Sequence, residues 1–268
     1  MKVLVTFALE NEFAPWRSMH KFRDSAWGRA NVSVAEIGGA DVAVLLTGVG
    51  SRPAKLALSK VAWGESETLE YCISSGLAGA LRPDYSIAQV LGAREVASAY
   101  LRSERIERNE SDDSGDHRVI PASAALLGFA ADSGASIVSR FYTADRAITR
   151  ADEKKFLGKN ADAVEMESFD ILTSATASGV PAVAIRAISD VWDEDLPLNM
   201  NEVFSDEGQL SIPRVVGQVA LHPQSVPGLV KLGQQSRRAA EALAQFLDRY
   251  IEKLAASTRA VELKATAR

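Results

Sequence analysis

Residues 164–190 read VEMESFDILTSATASGVPAVAIRAISD, and the fold follows from this stretch. A short apolar strand over 161–166 runs into two carboxylates, Glu165 and Glu167, on either side of Met166. From 167 to 178 apolar and small polar residues recur at helical spacing. Gly179 and Pro181 then stop the helix, because glycine accepts the left-handed cap and proline cannot continue it. Residues 180–188 form a continuous run of Val, Ile and Ala around Arg186, the pattern of a strand buried on both faces. The unit is strand, helix, strand, with Glu165, Glu167, Ser189 and Asp190 at strand ends. Ligands of open α/β sheets bind beyond the carboxyl ends of the strands, so acids placed there are candidates for chemistry.

The rest of the chain can be read outward from that unit. Its 268 residues, 47% of them hydrophobic, suit one large α/β domain over 1–256, with a frayed tail at 257–268. A net charge of −5 does not make the electrostatic footprint of a nucleic-acid binder. The lone cysteine, Cys72, sits in an apolar run and reads as a small buried hydrophobe. His20, His117 and His222 show no metal-ligand spacing. The opening MKVLVTFALE meets Glu10 too soon for a signal peptide or membrane span, so it reads as the first strand of a cytoplasmic protein.

A helix carrying Phe13, Trp16 and Met19 is expected next. Strands at 32–37 and 41–46 are joined by Gly38-Gly39, a hairpin signal. Thr47-Gly48-Val49-Gly50 turns into a helix over 51–62, and 69–74 is another buried strand. It runs into Ser75-Gly76-Leu77-Ala78-Gly79-Ala80, small residues that let backbone approach a ligand. Strands are expected at 87–96 and 135–139, helices at 122–131 and 151–157, and an exposed loop at 103–117. Residues 191–212 mix acids and prolines with Trp192, Leu196, Leu198 and Phe204, the composition of a partly ordered loop near a pocket. A long amphipathic helix over 226–255 should pack on the sheet.

No phosphate-loop motif and no dinucleotide glycine fingerprint is present; Gly48 and Gly50 read as turn glycines. What remains is a set of strand ends: Ala8-Leu9-Glu10-Asn11-Glu12, 47–50, 75–79, Val164-Glu165-Met166-Glu167-Ser168 and Arg186-Ala187-Ile188-Ser189-Asp190. Together these resemble the purine nucleoside phosphorylase/nucleosidase superfamily, in particular the branch with 5′-methylthioadenosine/S-adenosylhomocysteine nucleosidase. The resemblance runs in order from Met1 to about Asp193. It implies a three-layer single α/β domain with a central mixed sheet flanked by helices. The implied activity is cleavage of a ribosyl–purine N-glycosidic bond, with a small nucleoside as substrate. No cofactor or metal is implied, and relatives are homo-oligomers, dimers or larger.

Such cleavage passes through an oxocarbenium-like sugar and needs an acid for the leaving base and a base for the attacking water. By resemblance Asp190 is the acid that protonates N7 of adenine, oriented by Ser189. Burial at the end of an apolar strand can raise such a carboxyl towards neutrality. Glu12 matches the carboxylate that activates water, and as a residue in a helix's first turn it also suits the macrodipole. Glu167 matches the acceptor of the ribose hydroxyls. Met166 matches the residue under the sugar, although core filling serves it equally. Ala8, Ala78, Gly79 and Ser189 complete the implied substrate contacts, with Glu165 behind them. Arg186 is either structural or the partner of one of these carboxylates.

The chain departs from the nucleosidase pattern at Leu77, where a small polar residue is usual, and at 139–145, which replaces the base-stacking run. Phe141 or Tyr142 is a candidate to stack on the base, and as bulky β-formers both equally suit a core. The tract after Asp190 and the C-terminal extension resemble the hopanoid-associated phosphorylase-like group, which implies a large 5′ group such as that of adenosylhopane. Phosphorolysis is the alternative to hydrolysis, with Arg52 as the residue to reach phosphate. A non-catalytic nucleoside-binding relative is the third reading. The acidic segment 8–12 favours water, since carboxylates near the acceptor site repel phosphate.

Overall fold

The computed structural model describes residues 1–64, 69–98, 118–205 and 208–266. The loop expected at 103–117, with His117, lies outside them. Among the described residues the strands are β1 (Lys2–Phe7), β2 (Arg23–Trp27), β3 (Ala30–Ile37), β4 (Ala40–Leu46), β5 (Tyr71–Ser74), β6 (Leu77–Ala80), β7 (Val90–Ser98), β8 (Arg118–Pro121), β9 (Ser136–Thr143), β10 (Ala163–Glu165) and β11 (Ala182–Asp190). They form one mixed sheet of order β2-β3-β4-β1-β5-β11-β6-β10-β9-β7-β8. The helices are α1 (Glu10–Met19), α2 (Ser51–Leu58), α3 (Ala124–Asp132), α4 (Ala151–Leu157), α5 (Ser168–Ala177), the single turn α6 (Met200–Val203), α7 (Ile212–Leu221) and α8 (Val226–Thr266).

Strand β11 holds the two halves together. Ala182–Ala184 run parallel to β5, Ala187–Asp190 run parallel to β6, and Ile185–Ala187 pair antiparallel with β7. The β7 pairing closes β6, β10, β9 and β7 around it. Eight of its nine residues are buried, which is why it is a continuous apolar run. In β1 the alternation is of period two: Val3, Val5 and Phe7 join one apolar cluster and Leu4 the other. The first cluster includes Phe13 and Trp16 of α1 and Leu243, Phe246, Leu247 and Tyr250 of α8. The second includes Leu58 of α2 and Ile171 and Leu172 of α5. Helices therefore cover both faces of the sheet, the three-layer arrangement expected. Cys72 is buried in the second cluster, and desolvation pushes its thiol up to about 12.

Several boundaries differ from the sequence reading. Residues 77–80, read only as small residues at a strand end, form a strand of their own, β6, because β11 and β10 pair with it on either side. Strands β2 and β8 were not expected: β2 is an exposed edge without apolar alternation, and β8 is likewise largely exposed. Helix α2 stops at Leu58, four residues early. Strand β9 runs on through Thr143, and the loop at 191–212 contains α6 and the start of α7. The tail expected from 257 begins inside α8, which continues to Thr266. No helix among the described residues is long and apolar enough to cross a membrane.

Candidate active site

A cavity of about 250 Å³ opens where β1, β6, β10 and β11 end. Ala8, Glu12, Ala78, Gly79, Glu165, Met166, Glu167, Ser189 and Asp190 all line it. Sequence spacing alone scatters these residues over most of the chain; the parallel register of β1, β5 and β11 gathers their strand ends.

Arg186 organises the acids. It is 1% exposed. Its Nη2 donates to Glu165 Oε2 at 2.6 Å and to Ser168 Oγ at 2.8 Å, and its Nη1 donates to the Ser74 carbonyl at 2.7 Å. Its Nε is buried and has no hydrogen-bond partner among the described residues. Glu165 has little left for a ligand. Its Oε2 also accepts the N–H groups of Glu167 and Ser168, at 3.0 and 2.7 Å, and its Oε1 accepts the Thr143 hydroxyl. It therefore caps the start of α5 while neutralising Arg186.

Glu167 is 6% exposed, and its Oε1 accepts from the Gly50 N–H at 2.7 Å. Gly50 has φ of +96°, a conformation that suits glycine, and it brings that N–H to the carboxylate. Burial, and then the charge of Glu165, hold the Glu167 carboxyl well above the usual carboxylate range, against the pull of Arg186. Glu12 reaches back from the first turn of α1, and its Oε2 accepts the N–H of Ala8 at 3.1 Å and of Leu9 at 3.4 Å. It is thus a helix cap and a pocket residue at once. Burial raises its carboxyl too, opposed by Arg186 and by backbone N–H donors.

Asp190 is the last residue of β11. The β11–β6 register shifts between Ile188 and Asp190, a bulge that turns the carboxyl into the cavity. Ser189 Oγ donates to Asp190 Oδ1 at 2.9 Å, the contact expected of it. Lys154 Nζ donates to Oδ2 at 2.5 Å. Nothing in the sequence marks this lysine, which lies in the charged run ADEKK.

Phe141 does not reach the cavity. Strand β9 lies between β10 and β7, and Phe141 is fully buried in the cluster under α5. Tyr142 alternates to the other face and packs against a small cluster of Leu81, Ala144, Ile148, Ala161 and Val164. Of the two readings for this pair, Phe141 follows the core one and stacking is closed to it. The wall here is Arg146, Ala147 and Ile148. Asn201 of α6 grips that wall, its side chain bonding the N–H and carbonyl of Ala147 at 2.7 and 3.1 Å. Arg52 is exposed and does not line the cavity.

A second, larger cavity of about 800 Å³ adjoins the first. The two share Asn11, Leu77, Met200, Leu210, Leu232 and Ser236 as walls, and Leu198, Val203 and Leu229 make the larger one apolar.

A family model described as the phosphorylase superfamily matches residues 2–219. A curated relative, 5′-methylthioadenosine/S-adenosylhomocysteine nucleosidase of Listeria monocytogenes, is 25% identical over 75% of this chain and 91% of its own. A futalosine hydrolase mutant of Helicobacter pylori superposes with a TM-score of 0.70 at 16% identity, covering 94% of this chain and 99% of that one. The 5′-methylthioadenosine/S-adenosylhomocysteine nucleosidase of the same organism, bound to butyl-thio-DADMe-Immucillin-A, gives the same score and identity over 94% and 98%. At those identities the two structures bear on the fold alone.

Proposed function

The chain belongs to the phosphorylase superfamily, and from that premise we propose that it is an N-glycosidase that hydrolyses a purine nucleoside, with adenine as the leaving base. The single observation that carries this reading is the convergence of Glu12, Glu167 and Asp190 on one cavity of nucleoside size. Glu12 takes a proton from water as the water attacks C1′, and Arg186 Nε can donate to that water. Asp190 gives a proton to N7, so the base leaves neutral. Glu167 holds the ribose hydroxyls, Met166 packs under the sugar, and Ala8, Ala78, Gly79 and Ser189 allow close approach. Ala147 and Ile148 flank the base in place of a stacking ring.

Water is favoured over phosphate by charge. Ionised Glu12 at the acceptor side repels a phosphate charge by about 4 kcal/mol at 4 Å for an effective dielectric near 20, while Glu10 pairs with Arg17 outside the cavity. Arg52, the cation suggested for phosphate, is exposed and outside the cavity. A panel of purine nucleosides, assayed for base and sugar with and without phosphate, tests this. Ribose 1-phosphate formed only with phosphate present overturns the hydrolase reading, and no base released from any nucleoside favours a binding protein.

The adjoining apolar cavity supports a second element of the reading, a bulky apolar group on the 5′ carbon. Activity on 5′-alkylthioadenosines should then rise with chain length. Under the same reading the enzyme is cytoplasmic and a homo-oligomer. The exposed apolar side chains Ile212, Val216, Leu221, Val226 and Val230 support self-association, which light scattering would measure.

A further inference from the structure

Helix α4 is turned against its own hydropathy. Phe156 is 65% exposed, while Lys154 is fully buried, the one lysine so placed among the described residues. Its ammonium meets three acceptors: Asp190 Oδ2 at 2.5 Å, the Val191 carbonyl at 2.9 Å and the Glu194 carbonyl at 3.2 Å. Three acceptors match the three hydrogens of an ammonium; a neutral amine has only two to give. The charge is thus fixed in place, with every donor used, behind the carboxylate that faces the cavity.

We propose that Lys154 is a positioning residue that acts through Asp190, its ammonium stabilising the carboxylate left behind when Asp190 gives its proton to the leaving purine. This rests on the hydrolase reading above. As the C1′–N9 bond breaks, its electron pair goes to the base and N7 takes the proton from the Asp190 carboxyl. Water bonds to C1′ and loses a proton to Glu12. Asp190 is left anionic beside the ammonium, which stays bonded to its acceptors, and solvent restores the Asp190 proton after the base departs. The cation offsets the charge that appears on Asp190, and the two backbone carbonyls hold the ammonium in place as the proton moves.

Other charges face Asp190 from the elements around it. Arg146, Glu12 and Glu167 line the same cavity, and Glu194, Asp195 and Lys231 line a small one on its other side. Lys231 is engaged by Glu194 at 2.7 Å. Lys154 is the cation paired directly with Asp190 among the described residues.

The test compares Lys154→Met and Lys154→Arg with the wild-type protein. Lys154→Gln serves as a second neutral variant, since its amide can still bond the carbonyls should the methionine not fold. Carbon-13 carboxyl NMR follows Asp190 in each. Without the cation the carboxyl holds its proton to higher pH, so its midpoint and the alkaline limb of kcat/KM move up in the neutral variants and stay put in Lys154→Arg. Purine nucleoside turnover in the neutral variants falls by about ten- to a hundredfold, part of what a general acid supplies. A riboside with p-nitrophenolate as leaving group, which needs no proton, keeps the wild-type rate. An unmoved Asp190 midpoint overturns the assignment whatever the protein hydrolyses. Equal losses on both substrates overturn it as well. No purine release by the wild-type protein instead overturns the hydrolase reading beneath it.

Discussion

Arg186 Nη2 stands 2.6 Å from Glu165 Oε2 and 4.0 Å from Glu167 Oε2, with the Arg186 and Glu165 side chains each 1% exposed. One guanidinium thus neutralises the acid that holds the scaffold and leaves the acid in the cavity under-neutralised. Glu165→Ala strands the Arg186 charge in the core and removes the acceptor for two N–H groups of α5. Breaking one side of a buried pair costs about 3–5 kcal/mol. Urea unfolding should show a loss of that size, and a loss under about 1 kcal/mol would mean that the pair is dispensable.

Glu167 supplies a pH signature. Its folded carboxyl is raised above the ordinary value of 4.5. Between the unfolded and folded values the folded state binds more protons, so stability falls as pH rises through that window. Glu12 is raised from 4.5 as well and adds in the same direction. Glu167→Gln removes the titrating group and should flatten the decline, so that its unfolding temperature relative to wild type improves from pH 5 to pH 8. A parallel decline in both proteins would refute the placement of this charge.

Gly79 is fixed by Asp190. A Cβ at position 79 would come within 2.8 Å of Asp190 Oδ2, closer than side chains tolerate. Gly79→Ala should push the carboxyl out of line without unfolding β6. A misplacement of about 1 Å can cost on the order of 10²-fold in turnover. The measurement is kcat for nucleoside cleavage, with circular dichroism to check the fold; unchanged kcat would show that the Asp190 position is not critical.

Legibility in the sequence followed local pattern. The β11 run and the helix before it were readable because burial on both faces forces continuous apolar residues, and Gly179 and Pro181 punctuate them. The acids at the strand ends were readable by order along the chain. Strand β6 was hidden because its small residues answer to neighbours distant in sequence: Gly79 leaves room for Asp190, and Gly76 just before the strand leaves room for Glu12. Lys154 was hidden more deeply. In ADEKKFL a lysine reads as solvated and Phe156 as core, and the fold reverses both. Phe141 kept two readings in sequence, since a bulky β-former serves a core or a ligand; the covered position of β9 decides between them.

Glu12 sets the last expectation. Its Oε2 is held by the N–H groups of Ala8 and Leu9, Gly76 passes close by with φ of +147°, and burial raises its carboxyl above the ordinary 4.5. A base works only when ionised, so activity should fall on the acid side at a pH above the usual carboxylate range. That is the sign a raised carboxyl requires. Glu12→Gln keeps the shape and the cap position but cannot accept a proton from water. Turnover should drop by about 10²–10⁴-fold, while binding of an unreactive nucleoside analogue, measured by calorimetry, stays near wild type. Residual activity should no longer show that acid limb. The sugar product completes the argument: free reducing sugar, at a rate indifferent to phosphate, is expected of the wild-type protein. A Glu12→Gln variant with near-normal turnover and an intact acid limb would move the base elsewhere in the cavity.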